Sequence, residues 1–262
     1  MITVVKNKEP ELRRPTFLVD EPLASKLDKY PLTSLMNKSN FTLFLGKAGS
    51  GKTSMIISLL NTPDLFKGVY HTIYLFMGAN SRGSIKGSFF DNEIPPDQIF
   101  DELTIDNLNS VYERIREDAK DGYKSLIIAD DVQKSLKEND VEKQLLEMVN
   151  NRRHLKLSIW CANQNYMALP RGVRMGLTDL FVWKVSKIEM ENIFNEQVEL
   201  DKDKFNRVLA LLFKTPHSFL YIHPETKQIF SNWDELVISE ARAPQLPYVP
   251  PPLPKLSSIT KK

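Results

Sequence analysis

The stretch Gly46-Lys47-Ala48-Gly49-Ser50-Gly51-Lys52-Thr53 decides how the rest of this chain is read. It matches G-x-x-x-x-G-K-[ST] at every fixed position. A short apolar run, Phe41–Leu45, precedes it and reads as a buried strand. Thr53–Leu60 follows with helical spacing that turns Met55, Ile56, Leu59 and Leu60 inward. Strand, glycine turn and helix together are the context of a phosphate-binding loop. The glycines let the backbone curl so that successive N–H groups point at phosphate oxygens. The helix start adds the positive end of its dipole. Lys52 is expected to bridge the β- and γ-phosphates of ATP, and the Thr53 hydroxyl to ligate Mg2+. Gly46, Lys47, Ala48, Gly49, Ser50, Gly51, Lys52, Thr53 and Ser54 are the candidate nucleotide-binding residues. Lys47 reads as a bystander among them and Ser54 as a helix-start residue. An ordinary glycine turn before a helix is the alternative, and the agreement of motif with context weighs against it.

Outward along the chain, Leu126-Ile127-Ile128-Ala129-Asp130-Asp131 is an apolar run ending in two carboxylates. In a parallel sheet that end lies beside the phosphate loop, at the carboxyl edge where ligands bind. Asp130 is the candidate second holder of Mg2+. Asp131, one residue on, is placed to orient or deprotonate a water for in-line attack, so it is the candidate general base. Its plainer reading is a turn cap or a solvated acid. The next apolar run, Leu157–Ala162, ends in Asn163-Gln164-Asn165. An amide at that strand tip can hydrogen-bond both the attacking water and a phosphate oxygen. Gln164 is preferred for this role, with Asn163 next. Arg152 and Arg153 precede the same run, at the sheet edge away from the nucleotide of their own subunit. Arg153 is therefore the candidate arginine finger toward a neighbouring subunit, ahead of Arg152, with Arg171 and Arg174 as alternatives. A solvated charge cluster is the bland account of these arginines.

Thr72–Met77 and Leu180–Val185 supply two more strands, and Ile105–Lys120 and Asp140–Asn150 two amphipathic helices. Strands alternating with helices over residues 40–186 predict an α/β fold with a mostly parallel central sheet. Gly78–Asp97, polar and rich in glycine and proline, reads as a loop. Lys187–Phe194 and Lys202–Phe213 read as helices, Ser218–His223 as a last strand, and Thr16–Val19 as a short early one. The expected organisation is an N-terminal extension over 1–38, an ATPase domain over 39–223, and a segment over 224–262. That last segment carries a proline-rich tail at 243–254, whose composition favours an extended polyproline II arm over a packed element; it is read as a disordered tail ahead of a docking arm for a partner.

Composition narrows the partners. With 262 residues, 42% hydrophobic and 26% charged, the chain is long enough to bury a sizeable core. A formal net charge of +2 excludes a polycation, so contact with nucleic acid needs a local patch. Cys161 alone allows neither an internal disulfide nor a zinc cluster. No apolar run approaches the roughly 18 residues a spanning helix needs, and no signal core opens the chain, so a soluble, non-secreted protein is expected.

The order GKAGSGKTS (46–54), LIIADD (126–131), RRHLKLSIWCANQ (152–164), with N-Q-x-x-x-x-L-P-x-x-V-R over 163–174, resembles the FtsK–HerA superfamily of P-loop ATPases. Within it, the chain is similar to the poxvirus-type genome-packaging ATPases of large double-stranded DNA viruses and related elements. The resemblance covers about 40–186. It implies a P-loop NTPase fold of the ASCE type, RecA/FtsK-like, with the Gln164 strand between the Walker A and Walker B strands. It implies ATP and Mg2+ as cofactors and a hexameric or pentameric ring. The ring would drive double-stranded DNA, without sequence preference, into a preformed capsid through a capsid or portal-vertex protein. It also implies a place in the host cytoplasm, at the virus factory, and in the virion. Lys52 and Thr53 become Walker A, Asp130 and Asp131 Walker B, Gln164 the third motif, and Arg153 the trans finger. Asp131 stands where many relatives carry Glu, with shorter reach. Lys86, Arg171 and Arg174 are the candidate DNA contacts. The alternatives are a protein-directed AAA-type ATPase and a P-loop kinase; the kinase leaves Asp131 and Gln164 unexplained.

Overall fold

The computed structural model describes residues 2–7, 35–63, 65–83 and 89–238. The strand expected at 16–19, Lys86 and the 243–254 segment lie outside these. Ten strands form one sheet among the described residues. Six of them run parallel, in the order β7 (Asp179–Val182), β2 (Phe41–Leu45), β6 (Leu157–Asn163), β5 (Ser125–Asp130), β3 (Thr72–Met77) and the two-residue β4 (Ile99–Phe100). The strand that ends before Gln164 pairs with β2 on one side and β5 on the other, as the resemblance implies. Every residue of β2, β5 and β6 is buried. That matches continuous apolar runs rather than alternation, because helices cover both faces.

One face carries Phe41, Leu43 and Leu45 of β2 under helices α4 (Ile105–Lys120), α5 (Asn139–Asn151), α7 (Lys187–Gln197) and α8 (Lys202–Leu209). α4 presents Leu108, Val111 and Ile115, and α5 presents Val141, Leu145, Met148 and Val149. Thr104 caps α4 by accepting from the Asn107 N–H, and Ser186 caps α7 through the Glu189 N–H. The other face packs Phe44 and Phe181 in a stack with centroids 5.1 Å apart, against α1 (Lys52–Asn61). Each fully buried side chain of this size contributes about 1.5–3 kcal/mol.

Several local expectations change. α1 buries Ile57 along with Ile56, Leu59 and Leu60, while Met55 stays only partly covered. Gly78–Asp97, expected as loop, contains short helices α2 (Ala79–Gly83) and α3 (Phe89–Glu93), because Phe90 and Ile94 find places in the core. α8 stops at Leu209, short of Phe213, whose φ of 55° ends any helix. The sheet also runs on past residue 223. β8 (Leu220–His223), β9 (Gln228–Ser231), β10 (Asp234–Ile238) and β1 (Ile2–Val5) add antiparallel strands beyond β7. The sheet therefore includes strands on both sides of the divisions expected at 38/39 and 223/224. The short helix α6 (Arg171–Arg174) lies between β6 and β7. Among the described residues, no helix is long and apolar enough to cross a membrane.

Candidate active site

The carboxyl ends of β2, β6, β5 and β3 surround a cleft of about 180 Å³, lined by Ala48, Gly49, Lys52, Thr53, Met77, Ser81, Asp130, Asp131 and Gln164. The order of the sheet explains the convergence. β2 delivers the glycine loop, and two strands away β5 delivers the acidic pair. β6 sits between them and delivers Gln164. Gly49 at φ 72° and Gly51 at φ 109° take backbone shapes that side chains resist, and these turn the loop into the start of α1. The Gly46 N–H donates to the Asn163 carbonyl at 3.1 Å, tying the loop to the tip of β6.

Lys52 folds back over the loop. Its ammonium donates to the carbonyls of Gly46 at 2.8 Å and Lys47 at 3.0 Å. Burial pulls this ammonium below its ordinary pKa, and the nearby Asp130 and Asp131 oppose the shift. Asp130 is 7% exposed, and burial pushes its carboxyl up; the Thr53 hydroxyl and Lys52 pull it back. Thr53 Oγ1 donates to Asp130 Oδ2 at 2.8 Å. A hydroxyl and a carboxylate held side by side are hard oxygen donors of the type that take Mg2+. Among the described residues no group of three or more His, Cys, Asp or Glu side chains could cage a metal alone.

Asp131 follows β5 with φ 57°, and its N–H continues the ladder to the Ala162 carbonyl at 3.0 Å. Its Oδ1 accepts from the Gln164 amide at 3.3 Å and the Gln133 amide at 3.2 Å. Asn163 is fully buried and does not line the cleft, so Gln164 is the amide that reaches it. Ser54 is half-buried in the first turn of α1 and lies outside the lining.

The arginines separate into two kinds. Arg153 is exposed in the turn between α5 and β6, at the amino end of β6, a strand length of roughly 20 Å from the cleft. Arg152 beside it is half-buried and donates to the Val149 carbonyl at 2.8 Å. Arg171 is exposed. Arg174 is not available as a finger or a DNA contact. It is 3% exposed, pairs with Glu196 through two bonds of 2.9 and 2.8 Å, donates to the Leu169 carbonyl, and lies over the Tyr166 ring. Glu196 also accepts from Tyr166, so Arg174 fastens the segment after Gln164 to α7.

Three residues at the site escape the motif reading. Trp183 packs its Cβ against Gly46, and its indole donates to the His217 carbonyl at 3.2 Å. The His217 ring sits 3.2 Å from the Ser50 carbonyl. Gln133 bonds Asp131. The only sequence signals are a bulky aromatic at the tip of the strand after the Gln164 strand, and an amide two residues past the acidic pair.

The family described as the poxvirus A32 protein matches residues 28–240. A search of curated proteins found no match. Among solved structures, the fold is similar to the DNA-packaging ATPase B204 from Sulfolobus turreted icosahedral virus. That likeness has a TM-score of 0.57 and 16% identity over 78% of this chain and 100% of that one. It is also similar to the genome packaging NTPase B204 of Sulfolobus turreted icosahedral virus 2 in complex with ATP-gammaS, with a TM-score of 0.56 and 15% identity over 74% and 97%. EssC (ATPases 2 and 3) from Geobacillus thermodenitrificans shares the fold at a TM-score of 0.50 and 16% identity, over 76% of this chain and 39% of that one. At such identities these structures speak for the P-loop NTPase fold alone. The match over residues 28–240 goes further, and with the phosphate loop, acidic strand end and Gln164 gathered at one cleft, the chain belongs to the poxvirus A32 protein family.

Proposed function

We propose that this chain is an ATP-hydrolysing motor that drives double-stranded DNA into a preformed viral capsid. The observation that carries the reading is Asp131 bonded to the Gln164 amide at the rim of the cleft that holds Lys52 and Thr53. A kinase has no need of a water-activating acid beside a sensing amide. Both B204 structures are described as packaging enzymes.

In the proposed reaction, the loop N–H groups of Gly46–Thr53 hold the ATP phosphates, and Lys52 exchanges its two carbonyl partners for β- and γ-phosphate oxygens. Thr53 and Asp130 are the residues that would hold Mg2+, which when bound neutralises charge on those oxygens. Asp131 takes a proton from water as the water oxygen bonds to the γ-phosphorus. The bond from that phosphorus to the β,γ-bridging oxygen breaks in line, and ADP leaves. Gln164 donates to the forming phosphate and orients the water. Arg153 reaches the cleft of a neighbouring copy in a ring and stabilises the charge that develops there. DNA phosphates in the ring's centre, and a capsid or portal-vertex protein at its face, are the remaining partners of this reading. The host cytoplasm and the virion are the corresponding locations.

A strand-displacement test follows the motion directly. A third strand bound to long duplex DNA should be stripped by the purified protein with ATP, and by neither the Lys52→Ala nor the Asp131→Asn variant. ATP turnover with no displacement on any duplex would favour a protein-directed ATPase.

A further inference from the structure

We infer that Gln133 is a positioning residue for ATP hydrolysis, acting by holding the Asp131 carboxylate against the attacking water; this rests on the reading of Asp131 as the base. Asp131 is one methylene shorter than a glutamate would be. It begins from a left-handed backbone, with φ 57°, at the open end of β5. A short carboxylate on an exposed turn reaches a water only in a narrow range of side-chain rotations. A misplacement of about 1 Å is enough to cost roughly 100-fold in rate. Two amides restrict that range, Gln164 from the tip of β6 at 3.3 Å and Gln133 from the turn itself at 3.2 Å. Both donate to Oδ1. A carboxylate oxygen has room for two such bonds, so Oδ1 is filled and Oδ2 remains to take the proton.

The two amides are not equivalent. Gln164 also serves the γ-phosphate and the water, so its bond to Asp131 weakens when it turns to them. Gln133 has no second duty in the cleft and keeps its hold through that exchange. Its own position is secure. Val132 and Leu136 on either side are buried, and the Leu136 N–H donates to the Val132 carbonyl at 3.3 Å. The Gln133 side chain is only half-covered, so replacing it leaves this packing intact.

The test uses the full chain carrying Gln133→Met, which keeps length and shape without a donor, and Gln133→Asn, whose amide falls one methylene short. Steady-state ATP turnover, the Kd for ATP-gammaS by calorimetry and the melting temperature are measured, with Asp131→Asn alongside. We expect kcat to fall roughly 10–100-fold in Gln133→Met, and less in Gln133→Asn, while Kd stays within about 2-fold and melting is unchanged. Wild-type kcat in both variants, with Asp131→Asn inactive, overturns the role of Gln133 alone. A fall in kcat matched by weaker ATP-gammaS binding or lower melting makes Gln133 merely structural and overturns it too. Wild-type turnover in Asp131→Asn removes the base reading, and this inference with it.

Discussion

Thr53 and Asp130, 77 residues apart in sequence and on opposite sides of β6, meet through a hydrogen bond of 2.8 Å from the Thr53 hydroxyl to Asp130 Oδ2. The contact favours the ionised form of a buried carboxylate, opposing the burial that pushes its pKa up. Thr53→Val keeps the side-chain shape and removes the donor. We predict that it weakens Mg2+-dependent ATP-gammaS binding by roughly 10–100-fold, with a smaller effect when EDTA replaces Mg2+. Calorimetric titration under both conditions checks this; equal losses would mean that Thr53 serves only the loop.

Gly46 is fixed by what surrounds it. A Cβ there would lie 2.6 Å from Ser50 Oγ and 2.9 Å from the Trp183 Cβ, and Trp183 cannot retreat because its N–H is bonded to the Leu45 carbonyl at 2.8 Å. Gly46→Ala should therefore deform the loop, lowering stability by about 1–3 kcal/mol and ATP-gammaS affinity by at least roughly 10-fold. Gly49→Ala meets no atom within 4 Å and bears only its left-handed backbone, at about 1 kcal/mol. Denaturant melts and binding titrations of the two variants separate the causes.

Arg174 is predicted to be structural. Arg174→Ala leaves Glu196 without its bidentate partner and should cost roughly 3–5 kcal/mol of stability. Arg171→Ala, at an exposed position, should cost less than about 0.5 kcal/mol. Urea unfolding of both variants tests the contrast. A small effect at Arg174 would return it to the candidate DNA contacts.

Asp179, at the amino end of β7, has no solvent exposure and accepts hydroxyl bonds from Tyr221 and Thr178, each at 2.7 Å. Burial pushes its carboxyl up to about 6 despite those bonds. The folded value exceeds the ordinary 3.8, so the native state holds the extra proton between these limits. The burial penalty is absent below about pH 4, grows through the window and is complete above about pH 6. The stability of the wild type relative to Asp179→Asn should therefore fall by roughly 3 kcal/mol between pH 4 and pH 7. Urea titrations of both proteins across that range check it, and a constant difference would contradict it.

The parallel core was legible because three of its longer strands are apolar runs that end in a functional turn or polar tip. Phe41–Leu45 leads to the glycine loop, Leu126–Ala129 to the acidic pair and Leu157–Ala162 to Gln164. The antiparallel extension was not, because β9 and β10 are four and five residues long and carry polar ends such as Gln228 and Asp234. Their burial comes from neighbours outside the two strands, such as Tyr221 of β8 against Phe230 of β9, with Trp233 in the turn between them packed on Phe219. Arg174 misled for a similar reason. Nothing near it in sequence announces Glu196, 22 residues on, as its partner. Gln133 was overlooked because an amide beside an acidic pair carries no pattern of its own; only the turn after β5 brings it to Asp131.

The most direct test of the motor reading is steady-state ATP turnover by the purified protein, with and without long double-stranded DNA of unrelated sequences, at low and high salt. Each phosphate contact releases counterions, so the account predicts stimulation by every duplex, strong at low salt and fading as salt rises. Turnover that ignores DNA at every salt concentration, in protein assembled into rings, would contradict it.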